Sequence, residues 1–475
     1  MNRFLSFTVL AHFWLAANLM LAARAAEAPP LRVGLAQVDI TPPLGIPLAG
    51  YYHERGADGV LDPLFSKALV FEVQGRRAAL VALDLIGVTR EITDRARAAI
   101  ERTTGIPGGH VLIAANHAHT GPELAERGRR SSELGGGHEL AVKFTEELPD
   151  KIAASVRLAH ERLQPAQLSV ASARCEGLTF NRRYFMRDGS VGWNPGKLNP
   201  DIMLPAGPSD PEVGLLLVEK VGASGPRSVL ATCVNFAMHT DTTGGSQISA
   251  DWPGALSRVL AGYHGADHLT LVTLGACGNL NHLDFGWRWP QGTPIEQHRI
   301  ATLLGAEIFR AHKELRPLPP GPLRVRSVMI ELPVRELKPG ELEEAKATLA
   351  AVKDDRGSNF MKQVVAYRAL DVAEREGKPF RVEVQAIALG DQVAWVTLPG
   401  EVFVELGLAL KKRSPFPLTH VVTLANESIG YIPDRRSYAE GNYEPESARC
   451  APGAGERLVE AAVQLLADLR ASPTP

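Results

Sequence analysis

Short apolar runs, each stopping abruptly at a cluster of polar residues, recur along the chain and constrain its fold more than any other feature. Residues 31–36, 68–73, 78–83, 110–115, 167–173, 214–220, 228–237, 269–274, 382–389, 392–398 and 420–425 read as strands, being six to ten residues long and rich in Val, Ile, Leu and Ala. Between them lie segments of helical composition at 90–102, 140–163, 294–314, 401–411 and 456–470. Strands and helices that alternate in this mixed way predict an α/β fold, a single large domain of mixed β-sheets packed against helices. Residues 340–378 are charged and helical with a break at Gly357-Ser358-Asn359, and read as a helical surface insertion. No internal repeat or low-complexity linker is detectable.

With 475 residues the chain can bury a large core. A net charge of −2 gives no basic face, so nucleic acid is not expected as a partner. Arg3 precedes an apolar run from about 4 to 23, followed by Ala23-Arg24-Ala25 and Pro29-Pro30. This predicts a signal peptide over 1–25 and export to the periplasm, cell surface or medium. Cys175, Cys233, Cys277 and Cys450 form no C-x-x-C pair, which excludes a zinc ribbon, and three full disulfide pairings remain open.

Four strand exits carry chemistry, where α/β folds build their sites. Asn116-His117-Ala118-His119-Thr120-Gly121-Pro122 follows the 110–115 strand. Two histidines at i and i+2 of an extended segment face one side, and imidazole nitrogen is a favoured zinc ligand. His239 follows the 228–237 strand, with Asp241 placed to orient a ligand. Glu401 stands where the 392–398 strand runs into a helix start. The segment 426–443 holds Tyr431, Tyr438 and Tyr443. Taken singly, each has an ordinary structural explanation: a satisfied histidine, a helix-dipole glutamate, packed tyrosines. There is no H-E-x-x-H, no G-x-S-x-G elbow, no Walker A loop and no G-x-G-x-x-G fingerprint.

Together these segments resemble the neutral/alkaline non-lysosomal ceramidase family, in its catalytic N-terminal domain. The likeness rests on Val33-Gly34, Asp39-Ile40-Thr41-Pro42, Gly50-Tyr51 and Asp62-Pro63 at the start; His117-Ala118-His119-Thr120-Gly121-Pro122; Leu398-Pro399-Gly400-Glu401; and Gly430-Tyr431-Ile432-Pro433 with Tyr443. It implies a catalytic domain over 31–472 and a Zn2+ ion held by His117, His239, Glu401 and Tyr431. It implies further that His119 moves protons, that Arg182, in Asn181-Arg182, binds or orients substrate, and that Tyr443 stabilises an oxyanion. The implied activity is hydrolysis of an amide, N-acyl sphingosine or a related N-acyl amide, with a small-molecule or lipid substrate and peripheral membrane contact. The chain departs from the family in two respects. The turn 275–281 carries Cys277 where the family has a serine-bearing motif, and the family's C-terminal immunoglobulin-like domain is not expected here.

Overall fold

The computed structural model describes residues 31–222, 225, 228–292, 294–352 and 359–472. The expected signal peptide lies outside them. Among the described residues no helix is long and apolar enough to cross a membrane.

Twelve strands set the architecture. In the larger sheet these are β1 (Arg32–Asp39), β2 (Phe65–Val73), β3 (Arg76–Leu83), β4 (Val111–Ala115), β5 (Gln164–Arg174), β6 (Glu212–Lys220), β7 (Val229–Phe236) and β8 (Leu269–Leu274). Their order is β8-β7-β6-β5-β1-β2-β3-β4, with Arg316–Pro317 added beside β5. A second sheet holds β9 (Leu323–Leu332), β10 (Phe380–Leu389), β11 (Val393–Thr397) and β12 (Leu418–Val422) in chain order.

The pairing reveals a repeat that the sequence conceals. β1, β2 and β3 form an antiparallel meander, and β4 then pairs parallel to β3. β5, β6, β7 and β8 do the same, as do β9, β10, β11 and β12. A parallel neighbour cannot be reached by a tight turn, so each unit needs a crossover. Helices α1 (Arg90–Thr104), α2 (Glu139–Glu161), α3 (Asp251–His264), α4 (Pro294–Ala311), α5 (Glu341–Ala351), α6 (Phe360–Ala373), α7 (Val404–Arg413) and α8 (Ala454–Ala471) include these crossovers. α1, α3 and α7 connect the third and fourth strands of their units, and α2, α4 and α8 follow the fourth. The chain therefore lays down β-β-β-α-β-α three times.

Burial follows from this plan. Strand side chains alternate between faces. One face of each unit packs into a shared centre, where Leu69, Leu80, Leu216, Leu271, Ile387 and Trp395 meet. The other faces are covered by helix pairs: Ile92, Ile100, Leu148 and Ile152 from α1 and α2; Leu256, Leu260, Leu304 and Ile308 from α3 and α4; Leu406, Leu410, Leu458 and Leu465 from α7 and α8. α1 shows the local logic. Thr89 caps its first turn by accepting from the Ile92 amide at 3.3 Å, and Gly105 closes it at φ 68°.

Two excursions break the threefold plan. Residues 175–211 run between β5 and β6 and carry Asn181-Arg182. The helical pair α5 and α6 lies between β9 and β10. α6 does not stand on the surface as a bare insertion, because Val364, Tyr367, Arg368 and Asp371 are buried along it. All four cysteines are buried and free, so neither of the two available disulfides forms.

Candidate metal centre

Because the third and fourth strands of each unit run parallel, their exits open at the same end of the molecule, and the loops there interlock. Asn116 donates to the Asp84 carboxylate after β3 at 2.6 Å, and the Thr240 hydroxyl after β7 donates to the Asn116 carbonyl at 2.7 Å. Gly278, after β8, donates its amide to the Val402 carbonyl at 2.9 Å. Glu401 and Val402 form a two-residue strand parallel to Tyr431 and Ile432. Glu401 thus precedes α7 by three residues and is held by a strand pairing, not by a helix start as its sequence context suggests.

Three side chains converge in this ring of loops. The Glu401 Oε2 atom lies 3.3 Å from His117 Nε2 and 3.4 Å from His239 Nε2. The Nδ1 atoms of both histidines are tied to backbone carbonyls: His117 to Ile86 at 2.7 Å and His239 to Cys277 at 2.8 Å. A carbonyl only accepts, so each Nδ1 carries the proton and each Nε2 of the neutral ring presents a lone pair. Burial, then the nearby Arg182 guanidinium, holds His239 below its ordinary range, which favours the neutral form.

Two imidazole lone pairs and a carboxylate oxygen therefore face one point. His239 Nε2 and Glu401 Oε2 are buried without any hydrogen-bond partner. Such a set is repulsive without a cation between its members. Ligands at about 2.0–2.1 Å from a tetrahedral zinc stand about 3.3–3.4 Å apart, which matches the two edges that meet at Glu401. The donor set therefore fits a divalent metal ion. His119 stands beside this point: a ligand nitrogen from each of His117, His119 and His239 lies within 4.8 Å of the others.

The i, i+2 histidines reach one site by a different route from the extended segment expected. His117 has φ 64°, in the left-handed region that L-residues rarely occupy. The Nδ1 bond to Ile86 and the Ala118 amide bond to Leu85 (3.1 Å) hold it there. Strain of this kind persists where surrounding contacts over-determine it, as they do at functional sites.

The remaining expected residues divide. His119, Tyr431 and Tyr443 line a cavity of about 70 Å³ beside His117 and Glu401. His119 Nε2 is buried and unpartnered, and burial followed by the His117 ring depresses its basicity strongly. The Tyr443 ring packs 5.5 Å from that of Tyr431 and 4.4 Å from Trp193. Burial raises the Tyr443 hydroxyl far above its ordinary range, so it stays a donor.

Arg182 lies behind this wall and does not line the cavity. Its guanidinium donates to Glu444 (2.7 Å), the Gly278 carbonyl (2.7 Å) and the Tyr431 hydroxyl (3.0 Å). It positions Tyr431, rather than offering a free fork to a ligand. Asp241 pairs with His282 at 3.4 Å and orients neither of the convergent histidines, a task that falls to the Ile86 and Cys277 carbonyls. Burial pushes the Cys277 thiol up, away from nucleophilic use.

Several cavity residues had not been singled out from the sequence. Tyr52, Arg127, Arg130, Tyr367 and Arg449 all border it. The one signal for them was the basic run Arg127-Gly128-Arg129-Arg130 shortly after His119, in a stretch with no strand to anchor it.

No family model matches the chain, and no curated protein matches it by sequence. Solved structures do. Neutral ceramidase from Pseudomonas aeruginosa superposes with a TM-score of 0.71 at 19% identity, covering 94% of this chain and 76% of that one. A structure of ceramidase complexed with C2 gives the same values. At this identity the likeness is one of fold.

Proposed function

We propose that the chain is a zinc-dependent hydrolase of linear amide bonds, ceramidase-like in chemistry, acting on an N-acyl sphingosine or a related N-acyl amide. The observation that carries this is the convergence of His117 Nε2, His239 Nε2 and Glu401 Oε2 with both Nδ1 atoms already committed. Tyr431 completes the proposed ligand set from the paired strand. A zinc ion held there supplies Lewis acidity and lowers the pKa of water to about 7.

The chain's own groups complete the chemistry. His119, neutral and with Nε2 free, accepts a proton at that atom and returns it to the departing nitrogen. The Tyr443 hydroxyl donates to the oxygen on which negative charge develops. Arg182 fixes the Tyr431 hydroxyl, and its ion pair with Glu444 keeps its own orientation. Segment 1–25 is proposed as a signal peptide that exports the protein, and 31–472 as the catalytic domain.

The turn 275–281 favours a second reading, since it presents buried Cys277 and no serine. On that reading the protein is a metal-stabilised exported binding protein without turnover. Release of amine from N-acyl amides by the zinc-loaded protein, abolished by chelation and restored by zinc, supports the hydrolase. A zinc-replete protein inert across such a series supports the binding protein.

A further inference from the structure

The cavity wall describes what enters it. Its volume is about 70 Å³ and it opens to solvent. Ile86 and Val364 are the aliphatic side chains on its lining. Hydroxyls, imidazoles and guanidinium groups make up most of the rest. A second pocket adjoins it, sharing Tyr52 and Tyr367 and lined also by Leu134, Leu349, Ala350 and Val352.

Four arginines border the cavity: Arg127, Arg130, Arg368 and Arg449. Three are neutralised by carboxylates. Arg127 pairs with Glu123 at 2.7 Å, Arg368 with Glu341 at 2.6 Å, and Arg449 with Asp371 at 2.7 Å. Arg130 stands apart: among the described residues it makes no hydrogen bond and no ion pair. Its guanidinium lies 5.0 Å above the Tyr52 ring, a cation–π contact that fixes its plane and leaves its donors free. A guanidinium is always charged and presents a fork matched to oxyanions. One guanidinium with no direct carboxylate partner thus faces the same cavity as the metal ligands, with the Glu123 and Glu401 carboxylates acting on it from further off.

We propose that Arg130 is a specificity residue and that the substrate is an amide carrying a carboxylate, an N-acyl amino acid in general form. This rests on the hydrolase reading above and narrows it. One free guanidinium matches a singly charged group, and a carboxylate takes its two parallel donors. Tyr52 serves as the positioning residue behind it.

The test uses the zinc-loaded full chain and three N-acetyl acids: N-acetylglycine, N-acetyl-β-alanine and N-acetyl-4-aminobutyrate. Each is compared with the N-acetyl amino alcohol of equal length, by amine release and by calorimetric binding. The acids are expected to be preferred. Arg130→Gln is expected to raise KM for the best acid about 10- to 100-fold, with kcat and the KM of the alcohol nearly unchanged. Arg130→Lys should recover part of the loss. Circular dichroism and zinc content show whether each variant folds. Equal turnover of acids and alcohols, or an equal effect of Arg130→Gln on both, overturns the proposal. If neither series is hydrolysed, the hydrolase reading has failed on its own. Calorimetry then decides this one: acid-selective binding lost in Arg130→Gln sustains it, and unselective binding overturns it.

Discussion

Gly278 is where the loop after β8 meets the Glu401 segment, and Gly278→Ala tests how tightly the candidate site depends on that approach. A methyl group there would sit 2.8 Å from the Glu401 carbonyl carbon and 3.1 Å from the Val402 carbonyl carbon. Carbon atoms settle at about 3.5–4.0 Å, so the two backbones must part by about 0.7–1 Å. Overpacking of this size costs about 1–3 kcal/mol. The Gly278–Val402 hydrogen bond of 2.9 Å is stretched by the same movement. Metal sites tolerate only about ±0.2 Å in ligand placement, so Glu401 is carried out of range and zinc affinity should fall by about 10- to 100-fold. Competition with a chromophoric chelator measures the affinity, and thermal unfolding measures the stability. Gly262→Ala is the control. It lies within α3, a new Cβ there meets nothing within 4 Å, and a helical glycine changed to alanine gains about 0.5–1 kcal/mol. Wild-type zinc affinity and wild-type melting in Gly278→Ala would show that the segment yields freely and that the interlocked loops do not hold the ligand.

Arg182→Ala removes one of the two guanidinium partners of Glu444, whose side chain is wholly buried and keeps Arg183 at 3.3 Å, and should cost about 1.5–3 kcal/mol; chemical denaturation measures this, and a loss below 1 kcal/mol contradicts its bracing role. Tyr443→Phe should leave zinc content intact and lower kcat by about 100-fold if its hydroxyl meets the developing oxyanion; an unchanged kcat removes it from the chemistry. His420 is buried in the central core with both ring nitrogens unpartnered, and burial lowers its pKa to about 3. Above the unfolded value of about 6.5 it is neutral in both states. As pH falls below that, the unfolded chain takes up a proton that the folded one refuses. Stability attributable to His420 is therefore lost between about 6.5 and 3, at up to about 1.4 kcal/mol per pH unit. Denaturation midpoints of His420→Leu should fall less steeply with acid than those of the parent; parallel curves refute the assignment.

How far the molecule could be read from its residues depended on the kind of information. The strands at 78–83, 228–237 and 269–274 were legible because an apolar run flanked by turn residues has few other fates. The threefold repeat was not legible, because packing asks only for apolar residues at alternate positions. Leu80, Leu216 and Ile387 meet that demand in loops and registers of quite different length. His117 and His119 were legible as a pair, but not the left-handed turn that aims His117, since φ is set by the bond to the distant Ile86 carbonyl. Glu401 was recognisable by its motif alone; its strand partner Tyr431 lies thirty residues away. Arg130 was hidden for the opposite reason. What distinguishes it is the carboxylate it lacks, and a missing partner leaves no mark on local sequence.

The central claim is that three convergent lone pairs hold one metal ion, and elemental mass spectrometry of the purified protein, beside His117→Ala and Glu401→Ala, tests it most directly. About one zinc per chain in the parent protein, lost from both variants while their folds persist, is the expected result, since each removes one of about four ligands. A parent protein that carries no metal and takes up none from added zinc would contradict the account. His117, His239 and Glu401 would then be a buried polar cluster on a shared fold.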